Sequence, residues 1–155
     1  MPTTIREQVL ASVETTLKAI DPDNLGVDRN RDDEPTSDEM PRLVQFDGGH
    51  QSKTIANGEA DRTLGFTVQG YVTVLPVQDG QALRKALTLA ADDLYGRTVL
   101  ALSVDATLGG LAVDIVETNF ADPEFIVTEG DTPFAVIAID FEVEFVTAEK
   151  DPYSL

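Results

Sequence analysis

The stretch Asp79 to Val116, DGQALRKALTLAADDLYGRTVLALSVDATLGGLAVDIV, reads as a turn, a long amphipathic helix, a glycine-paired corner and a strand. Leu83, Leu87, Ala90 and Leu94 recur at helical spacing and put one apolar stripe on one face. Asp79 is placed to cap the helix, and Asp93 precedes Arg97 by four, a favourable pair. The run Val99-Leu100-Ala101-Leu102 suggests that the last turns are buried on more than one side, and the helix should end before Asp105. The corner is Thr107-Leu108-Gly109-Gly110-Leu111, where paired glycines suit positive φ. Leu111, Val113 and Ile115 then alternate with Ala112, Asp114 and Val116, as in a half-buried strand.

Upstream, Thr4-Ile5-Arg6-Glu7 fits a capping box, with Glu7 placed to reach back to the Thr4 amide. Ile5, Val9, Val13, Leu17 and Ile20 form an apolar face, and Asp21-Pro22 ends the helix, giving a helix over 4–20. Residues 25–41 read as a solvated acidic connection with a short strand near Val27. Asp28, Asn30, Asp32 and Glu39 have part of the spacing of a calcium loop, but Asp33 stands where that loop needs Gly. No metal is expected there.

Arg42 to Phe46 reads as a short strand with Asp47-Gly48-Gly49 as its turn. Residues 50–62 are polar and contain the turn signal Asn57-Gly58. In Leu64–Leu75, Leu64, Phe66, Val68, Val72 and Val74 face one way; Thr67, Gln69, Tyr71 and Thr73 face the other. Gly70 on the apolar side suggests a bulge or a close backbone approach, and Pro76 closes the strand. The two strands read as a hairpin with a long mobile tip. Residues 119–133 read as loop, punctuated by Pro123, Gly130 and Pro133. The last strand, Phe134 to Val146, puts Ile137, Ile139, Phe141, Val143 and Phe145 on one face. On its other face Phe134, Val136 and Ala138 give way to Asp140, Glu142 and Glu144. The tail Asp151-Pro152-Tyr153-Ser154-Leu155 reads as frayed. The expectation is a single α+β domain over 1–155. It has a mixed or antiparallel sheet of four to five strands covered by two helices, in the order α-β-β-α-β-β.

Composition narrows function by exclusion. The chain has 155 residues, 42% of them apolar, enough for a real core. It has no Cys, which removes disulfides, thiolate metal sites and Cys nucleophiles. Met1-Pro2-Thr3-Thr4-Ile5 lacks the basic start and apolar core of a signal peptide, and no apolar run approaches a membrane span. A soluble protein is expected. With 28 acids against 11 bases, the net charge of −17 argues against stable binding to nucleic acid or to an anionic membrane. No phosphate-binding glycine loop, zinc-protease helix or nucleophile elbow occurs. His50 is the one histidine and sits in a polar hairpin tip, so neither a catalytic nor a metal role is expected of it. Three carboxylates on one side of a strand, Asp140, Glu142 and Glu144, repel each other and should be wet. They read as an edge kept from aggregating by charge, or as an acidic wall lining something.

The ordered set Val27-Asp28-Arg29-Asn30-Arg31-Asp32, Glu39-Met40-Pro41-Arg42-Leu43-Val44 and Asp47-Gly48-Gly49 resembles the first half of a tail terminator protein. These are minor tail, or head-tail joining, proteins of long-tailed bacteriophages and phage-derived particles. The second half agrees, with a Thr67-Val68-Gln69-Gly70-Tyr71 strand, a long helix and Thr107-Leu108-Gly109-Gly110-Leu111 after it. The resemblance implies an α+β subunit of a homo-oligomeric, hexameric ring. Such a ring caps the major tail tube protein, stops elongation and docks the head-tail connector protein. It implies a place at the head-proximal end of the virion tail, after assembly in the host cytoplasm. It implies no enzyme, no cofactor and no membrane, and genomic DNA passing through without stable binding. Asp140, Glu142 and Glu144 are then candidates to face the lumen. Arg29, Arg31, Asp32, His50 and Lys53, in the segments 30–40 and 48–62 or beside them, are candidates for contacts to subunits or tube. The alternatives are a connector or stopper of the same particle, or a small-ligand or enzymatic α+β domain.

Overall fold

A computed structural model describes residues 1–75, 79–128 and 131–155. Pro76 and Gly130, read above as a strand end and as loop punctuation, lie outside the described residues. The elements run α1 (Ile5–Lys18), β1 (Gly26–Arg29), β2 (Arg42–Thr54), β3 (Glu59–Thr73), α2 (Gly80–Val104), β4 (Asp114–Phe120), β5 (Glu124–Ile126) and β6 (Phe134–Ala148). The strands form one six-stranded sheet in the order β1-β2-β3-β6-β4, with β5 also paired to β6. The class is α+β, but the expected order α-β-β-α-β-β and the count of four to five strands are overturned. β1 lies parallel to β2 and makes the sheet mixed, while all other pairs are antiparallel. β1 has four residues, all half-buried, so it carries no alternation to read. β5 has three residues and hides in what reads as loop.

The long strands set the frame. β3 and β6 pair without a break from Glu59↔Ala148 to Thr73↔Phe134. Leu64, Phe66, Val68 and Val72 of β3 meet Ala135, Ile137, Ile139, Phe141, Val143 and Phe145 of β6 in the buried core. Phe66 stacks on Phe141 with ring centres 5.2 Å apart. The alternation read in both strands therefore holds, and α1 and α2 cover the apolar face.

The long helix spans the expected residues. Asp79 caps it, its side chain accepting from the Gln81 amide at 3.1 Å, and Asp93 pairs with Arg97 at 2.9 Å. Its buried row is Leu87, Ala91, Leu94, Thr98 and Leu102. Leu100 is 65% exposed, so the last turns are not buried on more than one side. Gly70 makes the close approach expected of it: a Cβ there would lie 2.8 Å from Leu94 and Ile137. Tyr95 stacks on Phe120 at 4.1 Å, and the Arg84 guanidinium lies 5.2 Å over Phe125, so α2 also holds β4 and the β5 segment.

Other boundaries differ. β4 begins at Asp114, and Val113 is exposed where alternation put it inside. The hairpin turn is not Asp47-Gly48-Gly49. β2 continues to Thr54 and turns at Ala56–Gly58, where Asn57 and Gly58 take positive φ. The supposed tip over 48–62 is thus mostly paired strand. One extra residue between Asp47 and His50 is absorbed as a β-bulge. The C-terminal tail also folds back: the Pro152 carbonyl accepts from the Ile5 amide at 2.8 Å and the Ser154 carbonyl from Ala148 at 3.1 Å.

The bulge gives a sharp prediction. A Cβ at Gly48 would sit 2.2 Å from the Gly65 carbonyl oxygen, which is backbone, whereas one at Gly49 meets nothing within 4 Å. Gly48→Ala should cost roughly 1–3 kcal/mol and Gly49→Ala no more than ~0.5 kcal/mol. Urea midpoints measure both, and equal losses would refute the bulge geometry.

Candidate functional site

Two arginines organise the β1–β2 end. Arg29 leaves β1 toward α1 and is only 18% exposed at its side chain. Its Nη1 and Nη2 donate to Glu7 at 2.7 and 2.8 Å, and its Nε to Asp47 at 2.9 and 3.2 Å. The fork matches both carboxylates, so α1, β1 and β2 meet on one guanidinium. Glu7 thus bonds Arg29 instead of closing the expected capping box; only the Thr4 half forms, with the Glu7 amide donating to Thr4 Oγ1 at 3.1 Å. The Arg29 hydrogen bonds hold Glu7 below its usual pKa. Burial alone would raise Asp47, but hydrogen bonds from Arg29, Asn30 and Gln45 outweigh it and hold Asp47 low. Gln45 is fully buried, and its Nε2 donates to the Leu10 carbonyl and to Asp47, each at 3.1 Å.

Arg31 works on the other side of the sheet. It reaches Asp28 at 3.0 Å, Asp33 at 2.9 Å and Glu39 at 2.9 Å, and Asp28 also takes Arg42 at 2.9 Å. Glu39 further accepts from the Thr36 amide at 2.8 Å. The acidic loop is therefore laid over the sheet, with Pro35 buried and Val44 beneath it only 1% exposed. The segment that reads as a solvated acidic connection is thus tied down. The calcium-like quartet is dispersed: Asp28 and Glu39 hold Arg31, Asn30 bonds Asp47 at 2.9 Å, and Asp32 is exposed. Among the described residues no group of three or more His, Cys, Asp or Glu is arranged to hold a metal ion.

The acidic row on β6 does share one face, the uncovered one, but it is not uniformly wet. Asp140 is half-buried and accepts from Thr67 Oγ1 at 2.6 Å. Glu142 is exposed. Glu144 is half-buried, and the nearby Asp61 charge, burial and Asp114 raise its pKa. A shallow depression of about 280 Å³ runs beside the row, lined in part by Phe46, Thr67, Thr118, Asp140 and Glu142. Lys53 and His50 lie on the exposed part of β2. The site candidates thus fall into four places: Arg29 against α1, the open face along β6, the Arg31-tied loop and the β2–β3 hairpin.

Sequence reasoning passed over Arg6, Glu7 as an Arg29 partner, Arg62 and the buried Gln45. No local pattern marks them, since their partners are remote in the chain. No family model matches the chain, and no curated protein matches it either. Among the described residues no helix is long and apolar enough to cross a membrane.

Hydrogen bonds from Arg31 and Thr36 hold Glu39 well below its ordinary value of 4.5, at about 2. A carboxylate with a lowered folded pKa stabilises the fold above its unfolded value, and that contribution is lost as pH falls through the folded one. The loop should therefore stay seated down to pH 4.5 and lift between 4.5 and about 2. Side-chain NMR of Glu39 with the Tyr71 ring as reporter reads this. Arg31→Gln should move the Glu39 midpoint up toward 4.5, and an unmoved midpoint would discount the ion pair.

Proposed function

We propose that this chain is a structural subunit that caps a phage tail tube as a homo-oligomeric, hexameric ring at the head-proximal end of the virion. The ring stops tube growth, offers the docking surface for the head connector and catalyses no reaction. The observation that carries this reading, beside the ordered motifs, is the two-sided build of the subunit. One sheet face is sealed by α1 and α2; the other is covered by the acidic loop at its β1–β2 end but left open along β6, where it carries Asp140, Glu142 and Glu144 on a single strand. Repeated around a ring, that face supplies an acidic wall. A duplex carries one negative charge per ~1.7 Å of axis, so a basic lumen would bind it and slow its passage. The net charge of −17 works in the same direction.

Contacts to neighbours fall to groups the subunit does not use internally. Arg29 and Arg31 are held by their own carboxylates, so Asp32, His50 and Lys53 remain the better-placed candidates. The β2–β3 hairpin projects past β1 and suits contact with tube or connector.

Negative-stain imaging of purified protein with tail tubes tests the reading. A ring of this protein is expected at the head-proximal end, and a monomer found away from tails would sink it. Changing Asp140, Glu142 and Glu144 together to Lys should leave rings intact and impair DNA passage. Unaffected passage would remove these residues from the lumen while leaving the ring.

A further inference from the structure

Eleven bases stand against 28 acids in this chain, and five of the eleven form ion pairs among the described residues. These are Lys18, Arg29, Arg31, Arg42 and Arg97. Arg6 and Arg62 form none among the described residues, and they converge. Both line a hollow of about 100 Å³ on the helix-covered side, together with His50, Phe145, Thr147 and Pro152. Arg6 sits in the first turn of α1 and donates through Nη2 to the Gly48 carbonyl. Arg62 on β3 donates to Thr147 Oγ1 at 2.8 Å and to Ser52 Oγ at 2.6 Å, and its Nη1 lies 3.4 Å from His50 Nε2. Every acceptor is neutral. Arg6 Nε and Nη1 and Arg62 Nη2 have no acceptor among the described residues.

Burial and the positive field of Arg62 and Arg6 hold the His50 imidazole below its usual pKa. Cations held together in a concave site disfavour each other, and an entering anion relieves that cost. The Phe145 ring, 6.3 Å from that of His50, and Pro152 make an apolar wall. A carboxylate on a short aliphatic stem fits this chemistry: paired guanidinium donors for its oxygens and a ring beside its methylenes.

One source of such carboxylates lies on the opposite face. Arg31 and the buried Pro35 fix the acidic loop, while Asp32 and Glu34 are exposed and have no cationic partner among the described residues. The sheet stands between loop and hollow, so one subunit does not close this contact on itself. We propose that the Arg6–His50–Arg62 hollow receives a carboxylate from the Asp32–Glu34 loop of a second copy of this chain. The inference rests on the ring reading above and gives it a contact. Two different patches on one chain make a head-to-tail interface, which closes as a ring or runs on as a filament.

Charge exchange tests it. Sedimentation velocity is run on wild type, on Arg6→Glu with Arg62→Glu, on Asp32→Lys with Glu34→Lys, and on an equimolar mixture of the two variants. Wild type should associate and each variant alone should not. The mixture should associate again, because every interface in an alternating assembly then joins opposite charges. Circular dichroism checks folding; should a reversal unfold the chain, Arg6→Gln with Arg62→Gln replaces it and should weaken association roughly tenfold or more. Variants that assemble like wild type overturn the proposal while leaving the ring. A folded mixture that stays apart overturns the loop as the carboxylate source. A wild type that is monomeric at all concentrations sinks the ring reading itself. Saturable stabilisation of such a monomer by glutarate would give the hollow to a free carboxylate instead of a second copy.

Discussion

The unbroken antiparallel pairing of β3 with β6 is the constraint on which the rest depends. Each strand has fifteen residues, and each pairs over its whole length. Side chains alternate strictly on such a ladder, so its two faces are decided together. Apolar residues of both strands fall on one face and call for cover, which α1 and α2 give. On the other, Phe134, Val136 and Ala138 of β6 give way to Asp140, Glu142 and Glu144. A slip of one residue would carry Phe141, Val143 and Phe145 into water and Glu142 and Glu144 into the core. β2 and β4 hang on the outer sides of this pair, β1 lies outside β2, and β5 pairs with β6 beyond the end of β4. The division into sealed and open faces, on which the functional reading turns, is therefore a property of two strands.

What was legible in the sequence was what is periodic. The two faces of β6, the span of α2 and the Thr4 cap of α1 follow from spacing within a few residues, and they appear as read. The failures share a cause. β1 and β5 are too short to show a period. The outer half of β2, from His50 to Thr54, is exposed on both sides, so it has no apolar row to announce a strand. Gly48-Gly49 looks like a turn because a bulge and a turn use the same residue. The tail looks frayed because its partner, the Ile5 amide, lies at the other end of the chain.

The candidate site divides in the same way. That Asp140, Glu142 and Glu144 share a face could be read from alternation; that Asp61 and Asp114 crowd Glu144 could not. Arg29 binds Asp47 and Glu7 across 18 and 22 residues, and Arg62 meets Thr147 across 85. No local signal separates a guanidinium held inside a subunit from one left for a partner. The fold makes that assignment. It ties Arg29 and Arg31 to neighbouring acids and leaves Arg6 and Arg62 with neutral acceptors only.

The bulge at Gly48 also works as a parity switch on β2. Before it, odd-numbered residues turn to the helices: Leu43 and Gln45 are buried there, and Asp47 meets Arg29. After it, His50 stands opposite Leu64 and Ser52 opposite Arg62, so the even-numbered residues turn that way. One inserted residue thus assigns the outer strand its inward set. Under unbroken pairing from Asp47 onward, Gly49 would stand opposite Leu64 and Gln51 opposite Arg62, and neither the imidazole nor the Ser52 hydroxyl would meet that guanidinium. The chemistry of the hairpin's two surfaces is set by a count of residues, and Gly48, where no Cβ fits, keeps that count.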